Sequence, residues 1–160
     1  MSTPVLRLAR PEDIPEIEKL LTGEWLPPFQ IAEFLETFWV LDAGGRVLGG
    51  AGLEVYGPAG VIRSVVVHPS VRGQGLGDLL SRAAIAEAGK RGVARLYLFT
   101  GDKAPFWQLF GFERCALEDW ESAAQASWQW QIMSQRPEIA AMVTPMRTEM
   151  ARAMRQLAVD

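Results

Sequence analysis

The 160-residue chain carries one cysteine, Cys115, and one histidine, His68. A lone thiol excludes an internal disulfide and a multi-cysteine metal site, and a lone imidazole excludes a His-rich metal centre. No apolar run approaches the roughly 18 residues that a membrane helix needs. Residues 1–8 lack an apolar stretch of about 7–15 residues, so no signal peptide is expected. Basic residues number 16 and acidic residues 19, a net charge of −3, which argues against a general nucleic-acid binder. Internal repeats and low-complexity tracts are absent. So are the Rossmann spacing G-x-G-x-x-G and the P-loop G-x-x-x-x-G-K-[ST]. Present instead is a hydrophobic content of 49% with 22% charged residues, the composition of an ordered chain. The expectation is one domain over residues 1–160, soluble and cytoplasmic.

The most informative segment runs from Val61 to Gly77. Val61 to Val67 is a β-branched run that reads as a buried strand. His68-Pro69 ends it, because proline offers no N–H to a ladder. Gly73, Gly75 and Gly77 follow, and then Leu76, Leu79, Leu80 and Ala83 recur at helical spacing. A strand, a glycine loop and a helix N-terminus together suit an anion. Glycine lets the backbone approach closely, and the unpaired N–H groups of the first helical turn point at the ligand. Arg72 adds a positive charge at the mouth, so a diphosphate is the expected guest.

The arrangement Arg72-x-x-Gly75-x-Gly77 after a strand ending in His-Pro resembles the (Gln/Arg)-x-x-Gly-x-(Gly/Ala) signature of the GNAT acetyltransferases. Downstream, Phe106-Trp107-Gln108-Leu109-Phe110-Gly111-Phe112 resembles the family's Phe-Tyr-x-x-x-Gly-Phe helix. The resemblance implies an α/β GNAT fold. Its central sheet is twisted, mixed and mostly antiparallel, is flanked by helices, and is followed by a helical Trp-rich C-terminal extension. It implies acetyl-CoA as cosubstrate and no metal. It places CoA against Val65, Val66, Val67, Arg72, Gly73, Gln74, Gly75, Leu76, Gly77, Asp78, Thr100 and Trp107. It also assigns polarisation of the thioester carbonyl to a backbone N–H at Val66 or Val67; a well-placed oxyanion donor is worth about 3 kcal/mol.

Elsewhere the pattern predicts a strand over 5–9 and a helix from Pro11 that ends at Gly23. Trp25-Leu26-Pro27-Pro28-Phe29 reads as a stiff apolar loop that either packs or covers a pocket. A second helix is expected over 31–38, then a strand at 39–41, a hairpin turn at 42–46 and a strand over 47–56. A helix is expected from Leu76 to about Lys90, a strand over 95–100, and a short helix that Asp102 can cap. Residues 118–135 look like one helix with Trp120, Ala124 and Trp128 on a face, and burial is favoured over a partner surface. A last strand is expected at 140–144 and a terminal helix at 147–157.

Acetyl transfer to an amine requires a base. Alternation puts Gly50, Gly52, Glu54 and Tyr56 on one strand face, where the glycines leave room for a ligand. Glu54 is the candidate base, because a carboxylate partly withdrawn from water suits that task. His68 at the strand end reads as a turn residue. Trp107 stands where the family often has a tyrosine general acid; indole cannot donate that proton, so CoA leaves as thiolate or water protonates it. Arg63 is a charge in a Val/Ile strand and must be paired. Leu53 to Gly57 with Ile62 to Val65 resembles the N-acetylglutamate synthase-like and arsenic-resistance branches of the family. That resemblance implies a small acceptor with an amine and an anionic group. Tyr56 and Arg63 would be substrate contacts, Arg63 either holding the anion or pairing with Glu54.

The expected activity is therefore an acetyl-CoA-dependent N-acetyltransferase acting on a small amine, an amino acid or analogue. A catalytically silent acyl-CoA-binding module with a regulatory or scaffolding role is the alternative, and a protein acetyltransferase a third. The expected partner is the small-molecule amine, with neither nucleic acid nor membrane, and a homodimer left open.

Overall fold

The computed structural model describes residues 3–159. Seven strands lie in the order β1-β2-β3-β4-β5-β7-β6: β1 (Val5–Leu8), β2 (Phe38–Ala43), β3 (Arg46–Tyr56), β4 (Ala59–Val67), β5 (Arg95–Thr100), β6 (Glu113–Arg114) and β7 (Thr144–Glu149). The helices are α1 (Ile14–Gly23), α2 (Leu76–Lys90), α3 (Ala104–Gln108), α4 (Trp128–Gln135), α5 (Pro137–Ala140) and α6 (Met150–Ala158). The sheet is mixed: β4 pairs with β5 in parallel through Ala59↔Arg95 to Val61↔Tyr97, and β1–β2, β2–β3, β5–β7 and β6–β7 are antiparallel. No described helix is long and apolar enough to cross a membrane. This is the expected mixed α/β architecture.

The chain forms two compact units, and β3 and β4 contribute to both. In the first, Met1–Leu53 with Ile62–Glu87, the core gathers Ile17, Leu20 and Leu21 of α1 against Phe38, Val40, Val47 and Val66. Its charged staple is Arg7. That guanidinium donates to both Asp13 oxygens (2.7 and 2.9 Å) and to Asp42 Oδ2 (3.0 Å), tying β1 to the start of α1 and to the hairpin. Asp42 Oδ1 accepts from Gly45 N (2.8 Å), and Gly44 and Gly45 supply the positive φ that the expected hairpin turn requires.

Arg7 holds the Asp13 carboxyl below its ordinary value, against the opposing effect of burial, and lowers Asp42 as well. Folded carboxyls below the unfolded value of about 3.9 contribute stability above that pH and lose it as pH falls through the folded value. Asp13→Asn is expected to cost about 1–3 kcal/mol at neutral pH, since Arg7 loses its two-oxygen partner. The loss of stability on acidification below about pH 4 should shrink in parallel. Thermal melts from pH 7 to pH 2 measure both, and an unchanged melting profile would contradict the staple.

The second unit, Glu54–Val61 with Ala88–Asp160, packs Ala59 and Val61 with Tyr97, Trp120 and Ala124. Trp120 stacks on Phe99 with centroids 4.5 Å apart. Burial, then a 2.7 Å bond to Glu121, pushes the Tyr97 phenol up to about 12.

Several local expectations are corrected. The expected helix at 31–38 is a 3-10 segment, Ala32–Thr37, interrupted at Phe34. Residues 118–135 are not one helix. Two 3-10 turns, Leu117–Asp119 and Ala124–Ala126, precede α4, whose N-cap Ser127 accepts from Trp130 N (3.2 Å) and starts the helix there. Trp120 is buried as expected, while Trp128 and Trp130 are half-buried. The last strand begins at Thr144, where α5 has ended, and the terminal helix begins at Met150. Asp102 does not cap α3: its N-cap is Lys103, whose N–H donates to Thr100 Oγ1 (3.1 Å).

Candidate functional site

In the first unit β4 leads through the 3-10 turn Pro69–Val71 into the glycine loop and α2. His68 caps that turn, its Nδ1 accepting from Ser70 N (3.1 Å), as expected of a turn residue. Gly73 and Gly75 have φ of +79° and +77°, which only glycine adopts without strain, and a Cβ built on either would meet nothing within 4 Å. The loop therefore faces open space. The first turn amides of Leu76, Gly77 and Asp78 lie at or before the opening bond of α2, Leu79 N to Gly75 O (3.1 Å), and have no partner within the helix. Arg72 is exposed at the loop's start; its Nε donates to Val67 O (3.3 Å) and its Nη2 pairs with Glu24. Asp78 pairs with Arg82 one turn on (2.8 Å). Amides without an intrahelical partner at a helix N-terminus, next to glycines whose Cβ side is open, are suited to a diphosphate such as that of CoA.

Just upstream, Ser64 sits in β4 at φ +60°. This left-handed residue interrupts the strand's alternation before Val65, Val66 and Val67. Val66 is buried, and Val65 and Val67 are half-buried. Arg63 is buried at 8% exposure and donates from Nε to Ser64 Oγ (2.8 Å) and from the two Nη atoms to the carbonyls of Phe29 and Pro27. It thus holds the apolar loop, whose Trp25 and Phe29 project into solvent at 94% and 59% exposure. A bidentate grip by Arg63 on a substrate anion would require those bonds to be exchanged.

The room expected beside Gly50 and Gly52 is already filled. A Cβ on either would lie 2.9 Å from the Phe38 ring, and on Gly52 also 3.2 Å from Arg63 Cγ. Those glycines admit an aromatic side chain of the neighbouring strand, not a ligand.

In the second unit Glu54 is completely buried. Tyr56 Oη donates to Glu54 Oε1 (2.5 Å), and Gln129 Nε2 of α4 donates to Glu54 Oε2 (3.1 Å). Gln129 was not evident in the sequence; the signal that could have found it is a lone amide between Trp128 and Trp130. Trp107, on α3, is buried in a cluster with Phe106, Phe110 and Phe112, with centroids 5.1 to 5.9 Å away. Thr100 is buried and receives the Lys103 amide. The structure therefore brings Glu54 and Tyr56 together in one unit. Arg63, Arg72 and the glycine loop stand in the other.

Residues 35–114 match the acetyltransferase (GNAT) domain family. The chain is 30% identical over 119 residues to an amino-acid acetyltransferase of Mycobacterium tuberculosis, covering 68% of each protein. It is 28% identical over 105 residues to an amino-acid acetyltransferase of Aeromonas salmonicida, spanning only 24% of that longer protein. Among solved structures, a Mycobacterium tuberculosis protein in complex with CoA superposes with a TM-score of 0.75 at 21% identity, over 91% of this chain and 99% of that one. N-acetylglutamate synthase from Neisseria gonorrhoeae, complexed with CoA and N-acetyl-glutamate, superposes at 0.74 and 18% identity, over 94% of this chain and 36% of that one. The chain belongs to the GNAT acetyltransferase family: it is an N-acetyltransferase whose cosubstrate is acetyl-CoA.

Proposed function

We propose that the acceptor is the amine of an amino acid or close analogue, and that Glu54 is the base. The observation that carries this reading is the Glu54 carboxylate, withdrawn from water and bonded by Tyr56 at 2.5 Å. The names of the curated relatives support the substrate class. Acetyl-CoA supplies the activated acyl group. The amides at 73–78 and Arg72 receive its diphosphate, with Arg72 exchanging Glu24 for phosphate oxygens. A β4 amide at Val66 or Val67, just past the left-handed Ser64, polarises the thioester carbonyl. Glu54 is the final acceptor of the proton that the attacking amine gives up, and the CoA sulfur leaves as thiolate, since Trp107 has no proton of suitable acidity to give.

A thiol-release assay with acetyl-CoA tests the substrate class against amino acids, phosphinic and arsonic analogues, polyamines and peptides. Amino acids or their analogues should show the highest kcat/KM. A preference for peptides or polyamines would overturn the reading.

Arg63 serves the acceptor through the loop that it tethers. Arg63→Met removes the bonds to Pro27 and Phe29 and should raise the acceptor KM about tenfold, the size of one charge-assisted hydrogen bond. The KM for acetyl-CoA should not change. A lowered melting temperature with both KM values unaltered would reduce Arg63 to a fold-stabilising residue.

A further inference from the structure

We propose that Tyr56 is the group that receives the amine's proton, relaying its own to Glu54, and that Gln129 is the positioning residue of that carboxylate. This rests on the reading of Glu54 as the base. Glu54 has no exposed surface, so a bound amine does not reach it directly in this arrangement. Tyr56 is half-buried, and its hydroxyl is already committed as donor to Glu54 Oε1 at 2.5 Å, in the range of charge-assisted O–H···O⁻ bonds. A phenolic oxygen that donates retains acceptor capacity. The proton path therefore has a half-buried entrance and a buried terminus.

One N–H bond of the acceptor ammonium breaks towards Tyr56 Oη while the Tyr56 O–H proton passes to Glu54 Oε1. The electron pair left on nitrogen forms the new C–N bond to the acetyl carbonyl carbon. The nitrogen of the adduct gives its second proton to solvent, the C–S bond breaks, and its electron pair leaves with the CoA sulfur. Tyr56 ends as it began, and Glu54 ends protonated, returning its proton to the thiolate or to solvent.

Gln129 comes from another part of the chain, 75 residues away, and its Nε2 fixes Glu54 Oε2 at 3.1 Å. That bond leaves Oε1 directed at Tyr56. Gln129 is itself buried, and its Oε1 has no hydrogen-bond partner. An amide with one buried end unsatisfied is a poor choice for stability alone. What it provides is a donor that sets the orientation of Glu54.

Tyr56→Phe keeps the ring and removes the relay. Its kcat should fall about 10²-fold, with the acetyl-CoA KM unchanged. In H2O/D2O mixtures, kcat/KM of the wild-type enzyme should curve, showing more than one proton in flight, and that of Tyr56→Phe should be linear. Gln129→Met, isosteric without the donor, should lower kcat about tenfold in the wild-type background and not further in Tyr56→Phe. If Tyr56→Phe keeps kcat within about threefold while Glu54→Gln loses about 10²-fold, the relay is wrong and the base stands. If Glu54→Gln itself keeps kcat, the base reading fails and the relay with it. A linear wild-type dependence overturns the relay even if Tyr56→Phe does not fold. An equal effect of Gln129→Met in both backgrounds makes Gln129 structural only and overturns its positioning role.

Discussion

Gly75→Val will show no rise in melting temperature with acetyl-CoA, whereas the wild-type protein will melt several degrees higher. Gly75 sits at φ +77°, a conformation that valine reaches only with strain, and its missing side chain faces open space. A branched side chain there occupies the place of the diphosphate and tilts the neighbouring amides away from it. At a ligand concentration about 100 times Kd, binding adds about 2.7 kcal/mol of stability. For a chain of this size that corresponds to roughly 5–10 °C. Gly92→Val is the matched control: Gly92 has φ +75°, also with nothing within 4 Å, but lies beyond α2 at the far end from the loop. It should lower the melting temperature and keep the acetyl-CoA shift. Equal ligand shifts in wild type and Gly75→Val would remove the diphosphate site from residues 72–77.

Glu54→Gln should lower kcat by about 10²–10⁴-fold, the usual worth of general-base assistance, and leave acetyl-CoA binding intact. The substitution is nearly isosteric, and the site can absorb it. One amide oxygen can still accept from Tyr56. The new amide NH2 then meets Gln129, whose unpartnered Oε1 becomes an acceptor once that side chain turns over. Folding should therefore survive. Retained activity would reject Glu54 and leave an amine that arrives already deprotonated.

The strand, glycine loop and helix at 61–77 were legible because each signal is local: a β-branched run, a proline stop, glycines and a helical apolar repeat. That Glu54 and Tyr56 lie together was legible through strand alternation, which says which side chains share a face. Alternation does not say what lies opposite that face. The space beside Gly50 and Gly52 is taken by Phe38, a residue of the adjacent strand, and the carboxylate's second partner comes from a helix 75 residues on. Likewise, the tryptophan spacing over 118–135 mimics one helix although three short elements share the segment. The left-handed Ser64 is invisible for the same reason, since no residue type announces it.

The strand order β5-β7-β6 has a consequence for biosynthesis. β6, at Glu113–Arg114, pairs with β7 and not with its predecessor β5, so both leave the ribosome before the strand that lies between them exists. Until Thr144–Glu149 is translated, the β5 backbone presents an unprotected hydrogen-bonding edge, the kind of surface that recruits foreign strands. A nascent chain stalled before Thr144 should therefore depend on chaperones, and one stalled after α6 has emerged should not.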